Sequence, residues 1–281
     1  MFNHHSTTNH RLLFFALCAI CLTSTAYAGA WTQKQGGYYF KLAANSLEAH
    51  SDFDADGGRV TKPAMGQLQD FNLAAYIEYG LRERLTLVAS TPYKRLSDRR
   101  TFATGIGRER DSHLADLEMR LRWRWRQQPA VISLAAGAKI PLGYKIRQDS
   151  NVPLGTDEID ADIRLLLGRS LYPFPGYLTG ELGYRRRGGS FSDEIFTTLE
   201  GGISWQRFLF KSTISSLHTL GSCNSVGQAG LIGDQNIFKV APGAIYRISD
   251  RIEASLDLFH IASGCNTTTG NTLSLGLALK H

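Results

Sequence analysis

The stretch DLEMRLRWRWRQ, Asp116 to Gln127, sets Arg120, Arg122, Arg124 and Arg126 alternately with Leu121, Trp123 and Trp125, and Leu117 and Met119 continue the apolar series upstream. Wound as a helix, this segment would scatter arginine and tryptophan over every side. At a period of two the same residues separate onto opposite faces of a strand. One face then carries only Leu, Met and Trp, the other only Asp, Glu and Arg. Such a strand requires an apolar medium on one side and a wet or ion-paired space on the other.

The pattern recurs. FNLAAYIEY places Phe71, Leu73, Ala75, Ile77 and Tyr79 on one face; LTLVAS places Leu85, Leu87 and Ala89; VISLAAGAKIPL places Ile132, Leu134, Ala136, Ala138, Ile140 and Leu142. Similar segments begin at Tyr38, Ile159, Tyr177, Glu194, Arg207, Ile237, Arg251 and Thr272, giving about twelve strands. Short connections at Leu81 to Arg84, near Pro129, at Tyr172 to Gly176, near Gln206 and at Ser249 to Arg251 alternate with longer polar ones centred near Gly57, Thr104, Asn151, Gly189, Gly227 and Thr267. This alternation predicts an all-β fold, an antiparallel transmembrane barrel of about twelve strands with short periplasmic turns and longer outside loops. A soluble sandwich also alternates, but Tyr79, Trp125, Trp205, Phe208 and Tyr246 all fall beside short turns, as an aromatic girdle at one membrane interface requires.

The N-terminus supports export. A polar start ending at Arg11, an apolar run from Leu12 to Leu22 and the small-residue site AYA at Ala26 to Ala28 predict a signal peptide over 1–28, cleaved before Gly29, and a barrel domain over 29–281. No later segment approaches the roughly 18 uninterrupted apolar residues of a spanning helix. Past the leader only Cys223 and Cys265 remain, an even count in a compartment that permits disulfides, and they are expected to pair. The formal net charge of +6 is interspersed with acids and forms no basic stripe of a nucleic-acid module.

Several segments carry a resemblance: GAWTQKQGGYYFKL at Gly29 to Leu42, FDADGGRV at Phe53 to Val60, YIEYGLRERLTLVASTPY at Tyr76 to Tyr93 and AGAKIPLG at Ala136 to Gly143. The chain resembles uncharacterised outer-membrane barrels of the transporter-like type, such as the phenol-degradation pathway barrels and the XagA-like proteins. The resemblance implies an outer-membrane location and a role in moving small compounds or in surface-polysaccharide production.

The arginine ladder is the first candidate site. The flanking strands place Arg84, Thr86, Val88 and Ser90 on one side of it and Val131, Ser133, Ala135 and Gly137 on the other, so the ladder is expected to have small neighbours and no adjacent carboxylate. Inward acids are expected at Asp160, Asp162, Glu181, Glu200, Glu253 and Asp257. An arginine left unpaired in a dry interior costs several kcal/mol. Arg120, Arg122, Arg124 and Arg126 therefore either pair with those acids across a narrow barrel and close it, or line a wet pore that favours anions. DFDADGG at Asp52 to Gly58 begins like a calcium loop, but Pro63 stands where the bidentate Glu belongs, so a polar turn is the better account. Ser216 and His218 share the outward face of one strand, a spacing open to a bilayer-facing lipid hydrolase but with no third orienting group. No dinucleotide, phosphate-loop or zinc spacing is present, so neither a cofactor nor enzyme chemistry is expected. Arg99, Arg100, Arg108 and Arg110 on an outside loop could pair with lipopolysaccharide phosphates. The expected function is a channel for small polar or anionic solutes, or an accessory to glycan export. The alternatives are a closed structural or adhesion barrel and the hydrolase.

Overall fold

The computed structural model describes residues 29–145, 154–223 and 233–281; the expected leader lies outside them. Twelve strands run in chain order: β1 (Tyr38–Ala49), β2 (Gln67–Arg82), β3 (Leu85–Phe102), β4 in two segments (Gly105–Leu114 and Asp116–Arg126), β5 (Val131–Pro141), β6 (Asp160–Ser170), β7 (Gly176–Arg186), β8 (Glu194–Trp205), β9 (Phe208–Thr219), β10 (Asn236–Arg247), β11 (Ile252–Cys265) and β12 (Gly270–Lys280). Each pairs antiparallel with its predecessor, and β1 pairs with β12 from Tyr39↔Lys280 to Glu48↔Asn271, which closes the barrel. Closure leaves no sheet edge, so every strand's backbone groups are satisfied within the wall, the condition for lying in lipid.

The faces sort as alternation requires. Leu121, Trp123, Leu134, Ile163, Leu165, Leu182, Leu199, Leu275 and Leu277 are exposed on the outside, where a soluble protein would bury them. At the end with the short turns, Trp125 and Trp205 are 61% and 60% exposed, beside Tyr79, Phe208 and Tyr246. That belt and the apolar band above it are a lipid-facing surface.

The opposite end departs from the sequence expectation in one respect. The connection near Thr104 is not a long loop: β3 and the first segment of β4 pair as far as Phe102↔Gly105, so the polar residues there belong to a tall hairpin. The break at Ala115, between the two segments of β4, marks where this hairpin leaves the barrel wall. Ser51–Phe53, Arg59–Thr61 and Thr267–Thr268 form a small separate sheet above β1 and β11. Within it Asp54 Oδ1 accepts the N–H groups of Asp56 (3.0 Å) and Gly58 (2.7 Å), and Asp52 holds Lys62 (2.5 Å). Two of the three acids of the calcium-like stretch, Asp54 and Asp52, are thus spent on a turn and an ion pair.

Candidate functional site: an occluded, charge-lined lumen

The segment before β1 does not leave the barrel; it turns into it. Gly36 donates to Gly80 O (2.8 Å), and Gly80 donates to Gly37 O (2.9 Å), so the chain crosses directly over Gly80. A Cβ there would lie 1.8 Å from Lys34 O, so only glycine admits the crossing. Farther in, Gln33 N donates to Thr86 Oγ1 (2.8 Å) and its Nε2 to Glu78 Oε2 (2.8 Å). Arg122 Nη1 donates to Trp31 O (2.8 Å) and Ser133 Oγ to Ala30 O (2.6 Å). Ala30 is fully buried against Val131, Ala135 and Leu166, and Trp31 stands edge-on to Tyr177 at 6.3 Å. Gly168 makes room for the indole, since a Cβ there would come within 2.8 Å of its ring. Residues 29–35 thus fill the lumen near the short-turn end, and the backbone groups named here have partners on the wall, as burial demands.

The ladder side chains meet this segment and nearby acids. Arg122 Nη2 pairs with Glu78 Oε1 at 3.0 Å, and both side chains are buried. Tyr76 OH donates to the same carboxylate. Arg120 pairs with Glu118 on its own strand and with Asp162 Oδ1 (3.4 Å) on β6. Arg164 bridges Asp162 (2.6 Å) and Glu181 (2.6 Å). The expectation of a ladder without adjacent carboxylates is therefore corrected. Glu118 lies two residues along the strand, and Glu78 reaches over β3, whose inward Thr86 and Val88 are small enough to allow it. Pairing with the inward acids holds for Arg120 and Asp162, but not across the lumen, because these partners sit on nearby strands of the same wall. Arg124 Nη2 donates to Glu83 O (2.9 Å). Arg126 leaves the lumen set: a register shift after Arg124 puts it opposite outward Ile132, exposed at the rim and bonded to Gln128 O (2.7 Å).

The remaining acids face inward and are held by cations that sequence reasoning passed over. Asp160 pairs with Lys139 (2.8 Å), Glu253 with Lys280, and Asp257 with both Lys41 (3.4 Å) and Lys211 (3.3 Å). Glu200 accepts from Lys211 (3.2 Å), Thr213 (2.6 Å) and Tyr177 (2.7 Å). One inward cation differs. Lys239 lies between Ser215 and Ile261 in register, on the face of buried Ala241, and makes no hydrogen bond or ion pair among the described residues.

Toward the long-loop end two described residues of the connection after β5 also pack inward. Tyr144 and Leu154 are buried against Leu96 and Leu68. Tyr144 OH donates to Asp116 Oδ1 (2.5 Å), and Lys94 Nζ donates to Leu154 O (3.1 Å). Burial and the adjacent carboxylate push the Tyr144 phenol up, which keeps it a donor at every physiological pH. At the rim Cys223 and Cys265 are bonded, with Cα atoms 6.1 Å apart, and Arg187 reaches Glu194 (3.0 Å) and Asp234 (3.7 Å). Ser216 and His218 lie on the outer face of β9, opposite Thr197 and Ile195. Arg99, Arg108 and Arg110 are exposed, whereas Arg100 pairs with Asp98 (2.8 Å).

The inserted segment was the part sequence reasoning missed. Its signal was present in WTQKQGG: a tryptophan and two glutamines with no period of two, followed by a glycine pair at the start of a regular strand.

No protein-family model matches this chain, and no curated protein does. Solved structures do. A COG4313 outer membrane channel from Pseudomonas putida F1 aligns over 90% of this chain and 98% of its own, with a TM-score of 0.71 at 14% identity. The NanC porin aligns over 86% of this chain and 100% of its own, with a TM-score of 0.53 at 7% identity. The CymD monoaromatic hydrocarbon channel aligns over 88% and 89%, with a TM-score of 0.48 at 8% identity. At such identities the first two likenesses establish the fold alone, that of outer-membrane barrels.

Proposed function

We propose that this chain is an outer-membrane channel for small polar solutes, with a preference for anions, held in an occluded state by its own N-terminal segment. The observation that carries this is the lumen itself. It is lined by ionised side chains along its length, a costly arrangement for a purely structural wall, where well-packed apolar residues would be as stable or more so. Lys239 supplies the preference. A desolvated ammonium without a partner among the described residues is compensated by water or by a passing anion. The segment of residues 29–35 and the inward-facing Tyr144 both take up lumen space, which favours a small solute over an extended glycan. The outer-membrane barrels of known structure support the location.

Single-channel recording of the purified protein in a planar bilayer tests the proposal. Small conductance steps with an anion-selective reversal potential in a salt gradient are expected, and Lys239→Met should reduce that selectivity. A barrel that never conducts, even with residues 29–35 deleted, would favour the second possibility, a closed structural barrel, to which the dense ion pairing also points.

A further inference from the structure

The tall hairpin of β3 and the first segment of β4 carries a second charged surface, on its outside. Register sets Arg95 beside Ser112, Ser97 beside Arg110 and Arg99 beside Arg108, and all four arginines are exposed. No carboxylate of the hairpin shares this face. Asp98, Glu109 and Asp111 alternate onto the inward side, in register with one another or with buried Leu96. On the neighbouring strand the flanking residues are Phe71, beside Arg95, and Gln69, beside Ser97. Glu48, one strand farther, is engaged by His50 (3.1 Å) and Gln69 (3.5 Å). Arg95, Arg99, Arg108 and Arg110 make no ion pair among the described residues. Like charges directly opposite each other on a sheet are destabilising, and Arg99 faces Arg108. A multiply charged anion bridging them would turn that repulsion into attraction.

Height places the surface. From Leu85 at the short-turn end, Arg95 is ten residues up the strand and Arg99 fourteen. At about 3.3 Å per residue and a tilt of about 40°, these lie roughly 25 Å and 35 Å above the periplasmic edge. The apolar band of such a barrel is about 25 Å tall. Arg95 therefore sits at the outer edge of the hydrocarbon and Arg99, Arg108 and Arg110 in the headgroup layer above it. Phe71 lies beside Arg95, and Leu73, Tyr93 and Leu114 form the row below it, all four exposed.

We propose that this face is a binding site for the phosphorylated glycolipid of the outer leaflet, lipopolysaccharide, with the four guanidiniums on its phosphates and the aromatic and aliphatic side chains below against its acyl chains. Planar guanidinium groups suit bidentate phosphate contacts, and the apolar strip beneath them suits a lipid rather than a soluble anion or an acidic protein. The sequence pointed to Arg99, Arg100, Arg108 and Arg110; the structure substitutes Arg95 for Arg100.

The test uses detergent-solubilised full-length barrel and measures binding of fluorescent lipopolysaccharide, lipopolysaccharide stripped of phosphate, and phosphatidylglycerol micelles. Replacing Arg95, Arg99, Arg108 and Arg110 with Ser should weaken lipopolysaccharide binding at least about tenfold, which is what removing a single charge-assisted hydrogen bond would produce. Removing the phosphates should weaken binding to the parent by a similar factor. A control variant with Arg82, Arg169, Arg207 and Arg251 changed to Ser, the same loss of charge at the periplasmic end, should stay within about twofold of the parent. Unchanged mobility of unheated samples on a denaturing gel shows that both variants are folded; should the Ser variant fail this check, the four Arg→Lys changes, which keep charge but lose the fork, replace it and should weaken binding less. Equal binding by the parent and the folded outer-face variant overturns the proposal, as does equal binding of intact and phosphate-stripped lipid. Phosphatidylglycerol bound as tightly and with the same arginine dependence overturns the assignment to lipopolysaccharide. Conductance of the outer-face variant should match the parent, so failure here is separable from failure of the channel.

Discussion

Replacing Arg122 with Ser removes the charged wall side chain that holds both the inserted segment and Glu78. Arg122 contacts Glu78 at 3.0 Å and Trp31 O at 2.8 Å, and both charged side chains are buried. Deleting one partner of a buried ion pair costs about 3–5 kcal/mol, because the other charge is left in a poorly solvated site. Here Glu78 keeps Gln33 Nε2 and Tyr76 OH as donors, so the loss should fall at the low end, about 3 kcal/mol. For a domain of this size each kcal/mol moves the melting temperature by about 2–4 °C, which gives a drop of about 6–12 °C. The assay is the temperature at which the fast-migrating folded band disappears from a denaturing gel, read beside single-channel conductance. Conductance should rise, since Trp31 O loses its anchor. Extending the change to Arg120 and Arg124 should move both readouts further in the same direction, because Arg120 also holds Glu118 and Asp162. Arg126→Ser, at the exposed rim, should change neither. If the arginines instead line an already open pore, the triple variant lowers anion selectivity with little effect on conductance or stability. That outcome, or an unaltered melting temperature for Arg122→Ser, would refute the pairing argument.

Gly168→Val should expel the Trp31 ring, since a Cβ there meets the indole at 2.8 Å, and should raise conductance without touching any charged group; bilayer recordings decide it. Mass mapping of a non-reduced digest should find the Cys223 and Cys265 peptides joined, and opening this link, which spans 42 residues, should cost about 4 kcal/mol in the chain-entropy model. The intact mass of the exported protein should begin at Gly29. Asp193, on the loop after β7, accepts from Tyr184 OH and from Arg187 N (3.0 Å), and these bonds hold its carboxyl below the ordinary range. A depressed carboxyl stabilises the folded loop above its unfolded pKa of about 3.9 and loses that contribution as pH falls through its folded value. The protection factor of the Arg187 amide, its exchange rate relative to an unstructured peptide at the same pH, should therefore fall on acidification below pH ~4, and Asp193→Asn should lower it already at neutral pH.

The barrel was legible in the sequence because lipid enforces a strict rule. Every spanning residue must face either hydrocarbon or lumen, so Leu121, Trp123 and Trp125 could alternate with arginine only on a strand, and the short turns beside Tyr79, Trp205 and Tyr246 fixed which end was which. The inward direction of Asp160, Asp162, Glu181, Glu200, Glu253 and Asp257 followed from the same period. Partnership did not follow, because it depends on neighbours that register alone brings together. Arg122 finds Glu78, 44 positions away, across an intervening strand whose Thr86 and Val88 happen to be small. Arg126 lost its place in the ladder to a one-residue register shift. The hairpin at Thr104 looked like a loop because a strand standing above the membrane is no longer bound to put apolar residues outside, and four arginines took that face. The segment at residues 29–35 has no periodicity to read. Its course is set by contacts with the walls of strands β2 to β7, by Gly80 under its backbone and Gly168 under its tryptophan, and such contacts exist only once the barrel has closed.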